Sequence, residues 1–249
     1  VLKDLPDKIE NTIYVDLTEE QKKLYVTYLE NAKEEIENAI KIEGFEKSQI
    51  LILSLLTKLR QICIEPRLII ENYEGENAKL MALIDLLKQV IENEHKVLLF
   101  SQFPSALQYV KEIFDKENIT YYYLDGQTKS KTRMELVDKF NQDQTNVFLI
   151  SLKAGGTGLN LTSADVVIHL DPWWNPQVEN QATDRTHRIG QKNVVEVLKF
   201  ITKGTIEEKI LELQEKKKRL SEQVIEGKER SQLVLSKLTE EELKVLLGL

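Results

Sequence analysis

Cysteine is almost missing from this chain: Cys63 is the only one in 249 residues. One thiol excludes an intrachain disulfide and a cysteine-rich metal site. The three histidines, His95, His169 and His187, are too scattered to give a metal-ligand spacing, so no metal ligands are assigned. No apolar run approaches the length of a membrane span, and no secretory signal is visible. No membrane partner is therefore expected, and the location read from the sequence is cytoplasmic. Basic excess is lacking too. The net charge is −7 and the pI about 5.3, which argues against a protein coated with nucleic acid while leaving room for a local basic groove. No G-x-x-x-x-G-K-[ST] stretch occurs, so a phosphate loop with its magnesium-ligating hydroxyl is absent from the chain.

What remains is globular in character, with 41% hydrophobic and 30% charged residues. The chain opens on Val1 rather than Met, and a piece of a longer protein is expected. Three zones are distinguished. Residues 1–75 read as a strand at Ile13–Leu17 and two helices broken at Gly44, the first started by a Thr18/Gln21 capping box and the second ending before Pro66. Residues 76–204 alternate in period. Short apolar strands at 97–100, 121–124, 147–150, 166–170 and 194–201 lie between helices, which predicts an α/β fold with a parallel sheet covered by helices on both faces. Residues 205–249 read as a long charged helix opened by a Thr205/Glu208 capping box, then a short helix capped by Thr239. The basic run Lys216–Arg219 has acidic flanks and reads as a solvated face.

Ligands of open parallel sheets bind at the carboxyl ends of the strands. The polar signals of this sequence sit there: Ser101-Gln102-Phe103, Asp125-Gly126-Gln127-Thr128, the loop 151–160, and Asp171-Pro172-Trp173-Trp174-Asn175. Gly155, Gly156 and Gly158 suit either a close approach of backbone to an anion or a tight turn. A dinucleotide fingerprint does not fit, because its third glycine would fall on Leu161. Thr128 with Lys129, Lys131 and Arg133 would suit a phosphate, or simply a solvated helix start. Alternation would bury one of Trp173 and Trp174 and expose the other, as core anchors or as a stacking surface. Gln181, Asp184, Arg185 and Arg188 recur at i, i+3, i+4 and i+7 on what reads as one helix. They would be either a phosphate-gripping face or a solvated face with an Asp184–Arg188 pair. His187 reads as structural, and Cys63 as a small buried hydrophobe.

Together these loops resemble the C-terminal lobe of Swi/Snf-type DNA translocases within the superfamily-two helicases. The resemblance rests on 96–103 (KVLLFSQF), Leu124-Asp125-Gly126, 154–161 (AGGTGLNL), 171–176 (DPWWNP) and 181–191 (QATDRTHRIGQ), in that family's order and spacing. It covers roughly residues 80–215, and Leu5-Pro6-Asp7-Lys8 and Leu59-Arg60-Gln61-Ile62-Cys63 extend it. One departure is Ile64-Glu65 before Pro66, where that family commonly has Asn-His.

The resemblance implies a RecA-like fold with an N-terminal helical subdomain and a C-terminal long helix. It implies ATP and Mg2+ held mainly by a second, N-terminal RecA-like lobe of the same protein. Arg188 would be the arginine finger, with Arg185 beside it. Gln181 and Asp184 would position the cleft, and Gly155, Gly156 and Gly158 would couple nucleotide to DNA. Ser101, Gln102, Thr128, Thr157 and Trp174 would line double-stranded DNA. A protein on that DNA would be the substrate, and the setting bacterial and DNA-associated. A non-catalytic binding module and an RNA helicase lobe stay open as alternatives.

Overall fold

Apolar runs only four to five residues long cannot be amphipathic helices; buried on both sides, they make the interior strands of a parallel sheet. The computed structural model describes residues 5–154, 158–223 and 239–248 and contains one six-stranded sheet. Its strands are β1 (Lys8–Val15), β2 (Val97–Ser101), β3 (Tyr121–Leu124), β4 (Val147–Ser151), β5 (Val166–His169) and β6 (Val195–Thr202), in the order β1-β6-β5-β2-β4-β3. Every residue of β2 and β4 is buried, and the two pair in parallel from Val97–Val147 to Ser101–Ser151. β2–β5, β3–β4 and β5–β6 are parallel as well. β1 covers more than the short N-terminal strand expected from sequence, beginning at Lys8 instead of Ile13.

The sheet order also fixes where a ligand belongs. β2 and β5 are neighbours, yet the chain leaves β2 toward β3 on one side and leaves β5 toward β6 on the other. Loops that diverge from adjacent carboxyl ends open a crevice between them.

The helices are α1 (Glu19–Glu43), α2 (Phe45–Ile64), α3 (Ala78–Glu92), α4 (Pro104–Glu117), α5 (Ser130–Gln142), α6 (Pro176–Thr183), α7 (Ile206–Gln223) and α8 (Glu240–Leu247). Gly44, at φ +82°, ends α1 and opens α2, a conformation that favours glycine. Thr18 caps α1 by accepting from the Gln21 amide, but the Gln21 side chain accepts from the Ala78 amide at 2.9 Å, so the box is half formed. Thr205 likewise accepts from the Glu207 amide, while Glu208 accepts from the Gly204 amide. The Thr239 capping box on α8 is complete, through Glu242.

Two compact units emerge. One comprises residues 1–14, 80–173 and 177–201, and its core joins Leu98, Phe100, Phe140, Phe148, Ile150 and Val167. The other comprises residues 15–79, 174–176 and 202–249, with Ile36, Ile52, Leu59, Ile62, Ile210 and Leu246 at its centre. Cys63 lies in that second core, where burial first and then the Glu207 charge push its thiol up, leaving it inert. Lys217 corrects the solvated reading of the basic run. It is 2% exposed and pairs with Glu242 at 3.2 Å, whereas Lys216, Lys218 and Arg219 face solvent. No described helix is long and apolar enough to cross a membrane.

Candidate functional site

The carboxyl ends of β2 and β5 are tied together by polar side chains. The Ser101 hydroxyl donates to Asp171 Oδ1 at 2.6 Å and accepts from the Phe103 amide at 3.1 Å. The Gln102 amide donates to the same Asp171 oxygen. Ser101 is 1% exposed, so it shapes this corner from within. Gln102 Nε2 is buried with no hydrogen-bond partner. After β3, Asp125 accepts from the backbone of Gln127 and from both backbone and hydroxyl of Thr128, closing the turn on itself. Arg133 then reaches back from α5 to the carbonyls of Asp125, Thr128 and Ala154. These bonds account for Arg133 as a brace between two strand-end loops. Gly155, Gly156 and Thr157 lie outside the described residues.

The arginine segment departs from the helix expected of it. α6 stops at Thr183, and the chain continues in tight turns, with Arg185 bonded to Ala182, Thr186 to Thr183 and Gln191 to Arg188. Such i→i−3 bonds wind the backbone more tightly than an α-helix does. Tertiary partners impose the change. Thr183 Oγ1 lies 3.1 Å from His169 Nε2, Thr186 donates to the Leu161 carbonyl, and His187 Nε2 lies 2.8 Å from the Pro6 carbonyl. Gln191 finishes the segment, its Nε2 donating to the Ala164 carbonyl and its Oε1 accepting from the amides of Lys192 and Asn193.

Even without a continuous helix, Gln181, Asp184, Arg185 and Arg188 line one cavity of 590 Å³, joined by Leu5, Asn160, His187 and Ile189. Arg188 is exposed and its Nη1 donates to the Leu159 carbonyl at 3.2 Å, an anchor different from the Asp184 pair envisaged in sequence. Burial, then the Arg188 charge, pull the Arg185 guanidinium below its ordinary value, with Asp184 opposing them. Two guanidinium groups lining one cavity favour an anion there. Among the described residues, no three His, Cys, Asp or Glu side chains converge as a metal site needs.

Trp173 and Trp174 are both half-buried, which corrects the expected one-in, one-out alternation. Trp173 packs on the core of the first unit, and its amide donates to Glu179 at 2.7 Å. Trp174 belongs to the second unit, where the buried Arg60 guanidinium sits 5.2 Å from its ring centroid. Alternation fails because the strand ends at His169, leaving the Trp pair in irregular backbone. Sequence reading missed Asn160 as a cavity residue. Its only signal was its place beside the glycine-rich loop.

Known proteins resemble this chain in sequence and in fold. The helicase conserved C-terminal domain model matches residues 78–190. A Mycoplasma pneumoniae protein named as an uncharacterized ATP-dependent helicase is 43% identical over 224 residues, which cover 88% of this chain and 21% of that protein. The chain spans about a fifth to a quarter of the length of the curated relatives it matches. Among solved structures, the Sulfolobus solfataricus SWI2/SNF2 ATPase core in complex with dsDNA is 34% identical with a TM-score of 0.77, covering 100% of this chain and 52% of that one. The C-terminal domain of that ATPase, solved separately, is 32% identical with a TM-score of 0.73, covering 96% of this chain and 98% of that one. A parallel sheet of this order and these matches lead to one assignment: the chain belongs to the SWI2/SNF2 family, as a RecA-like C-terminal domain of its ATPase core.

Proposed function

We propose that this chain is the C-terminal half of an ATP-driven double-stranded DNA translocase and that Arg188 is its arginine finger. The observation that carries the proposal is the shared cavity of Gln181, Asp184, Arg185 and Arg188, in which Arg188 is exposed and Arg185 is crowded by a second cation. A nucleotide's phosphates fit that donor set: guanidinium forks match phosphate oxygens in pairs, and their charge relieves the repulsion between the arginines. Arg188 would neutralise charge as it spreads over the equatorial oxygens of the transferring phosphoryl group, an effect worth roughly a thousandfold or more in rate. Arg185 would hold the phosphates, and Gln181 and Asp184 would set the rim. No phosphate-loop motif occurs in this sequence, so that loop and the Mg2+ it helps to hold are assigned to an N-terminal lobe of the same protein. This chain alone should therefore hydrolyse no ATP.

Double-stranded DNA is the proposed track, supported by the dsDNA-bound Sulfolobus core. Gln102, Thr128 and Trp174 stand at strand-end loops. Gly155, Gly156, Gly158 and Thr157 are assigned to coupling and track contact on the resemblance alone. Ser101 would act indirectly, through Asp171. The decisive test is Arg188→Ala in the full-length protein. DNA-stimulated ATP hydrolysis should vanish while duplex binding persists; unchanged turnover would remove Arg188 from the role. Running duplex DNA and RNA side by side as activators separates this reading from an RNA helicase lobe, and failure of both favours a non-catalytic module.

A further inference from the structure

Loop 158–163 begins at Gly158 and has no helix or strand of its own. One face of α5 grips it. Ser130, Arg133, Met134, Val137, Asp138 and Asn141 recur at intervals of three and four, and so form a single stripe. The first five line a cavity of 450 Å³ with Gly158, Leu159 and Asn160. Asn141 ends the stripe with two hydrogen bonds. Its Nδ2 donates to the Asn160 carbonyl at 2.8 Å, and its Oδ1 accepts from the Ser163 amide at 3.3 Å. Only one orientation of the amide satisfies both, because the reverse sets donor against donor and acceptor against acceptor. The opposite side of the loop is held by the arginine segment. The Leu159 carbonyl accepts from Arg188, and the Leu161 amide donates to the Arg185 carbonyl. Asn160 lines this cavity and the arginine cavity alike.

We propose that Asn141 is a positioning residue for nucleotide hydrolysis. By fixing Asn160 it holds the Leu159 carbonyl where it aims Arg188, a role that rests on the reading of Arg188 as the finger. Asn141 is not among the residues lining the arginine cavity, so it acts through the loop backbone. Small displacements suffice: misplacing a catalytic group by about 1 Å costs roughly a hundredfold.

The test uses the full-length protein with Asn141→Ala and with Asn141→Asp, which keeps an acceptor for Ser163 and removes the donor to Asn160. Duplex-stimulated ATP hydrolysis is measured against ATP concentration, and amide hydrogen exchange is followed in loop 158–163 and in β2 and β4. In both variants kcat should fall about tenfold with KM for ATP within about twofold, the pattern of a lost transition-state interaction. The Leu161 amide should exchange faster while β2 and β4 keep their protection. Unchanged kcat, an unchanged Leu161 amide, or protection lost across β2 and β4 together would each overturn the proposal. Arg188→Ala measured alongside keeps the two claims apart: retained turnover there removes the finger, whereas Leu161 exchange reports on Asn141's grip of the loop either way.

Discussion

Arg188 donates from Nη1 to the carbonyl oxygen of Leu159 across 3.2 Å. One branch of the guanidinium is thus anchored to loop 158–163, while the side chain stays exposed in the cavity it shares with Arg185. The planar fork makes this arrangement available: one arm binds protein, and the others remain free for phosphate oxygens.

Lysine should not substitute for it. Arg188→Lys keeps the charge but replaces the fork by a point charge on a flexible stem. In the full-length protein, DNA-stimulated turnover should fall by roughly a hundredfold or more, close to the Ala variant. Steady-state hydrolysis of ATP checks this, and near-normal turnover would show that charge alone suffices.

His169 should make stability depend on pH. It is fully buried, stacked on Phe100 at 5.5 Å and adjacent to the Thr183 hydroxyl. Burial first, opposed by Glu179 and aided by Lys199, lowers its pKa from 6.5 to about 4. The unfolded chain then binds the proton more readily than the native one. This contribution is fully present above about pH 6.5 and is lost as pH falls through about 4. Melting temperatures between those limits should rise with pH, and the slope should flatten in His169→Gln.

The buried Lys79–Glu207 pair anchors the second unit. Its atoms are 2.5 Å apart, the side chains are 1% and 0% exposed, and Glu207 also accepts from the Thr202 amide at 2.8 Å. Lys79→Met strands a buried carboxylate and should cost about 3–5 kcal/mol. Adding Glu207→Gln, which keeps an acceptor for Thr202, should recover part of the loss. Chemical denaturation of the four-member cycle measures the coupling; simple additivity would contradict it.

Gly158 should resist substitution for backbone reasons alone. It sits at φ +43°, and a Cβ there meets nothing within 4 Å. Gly158→Ala should cost about 1–2 kcal/mol through the left-handed conformation. Gly158→Asn should cost less, because asparagine tolerates that region. Thermal unfolding of both variants distinguishes strain from packing.

Much of the fold was legible because it is written in local period. The apolar runs of β2 and β4, Pro104 at the start of α4, Gly44 between α1 and α2 and the Thr239 box all act within a few residues of themselves. The candidate site was legible as a set of strand-end loops, because parallel topology collects carboxyl ends on one side. Its detailed form was not. Helical spacing placed Gln181, Asp184, Arg185 and Arg188 on one face. The structure brings them to one cavity through turns enforced by His169, Leu161 and Pro6. Gln21 follows the same rule, giving up its local cap for the Ala78 amide 57 positions away.

By itself, then, the sequence determined the element types, the alternation that makes a parallel sheet and the loops that carry polar chemistry, since each depends on spacing along the chain. Tertiary structure alone decided where α6 ends, why Lys217 is buried, and that Asn141 and Arg188 hold adjacent carbonyls of one loop. Those outcomes depend on which distant polar group meets which buried one, and an unsatisfied partner costs about as much as any local preference returns.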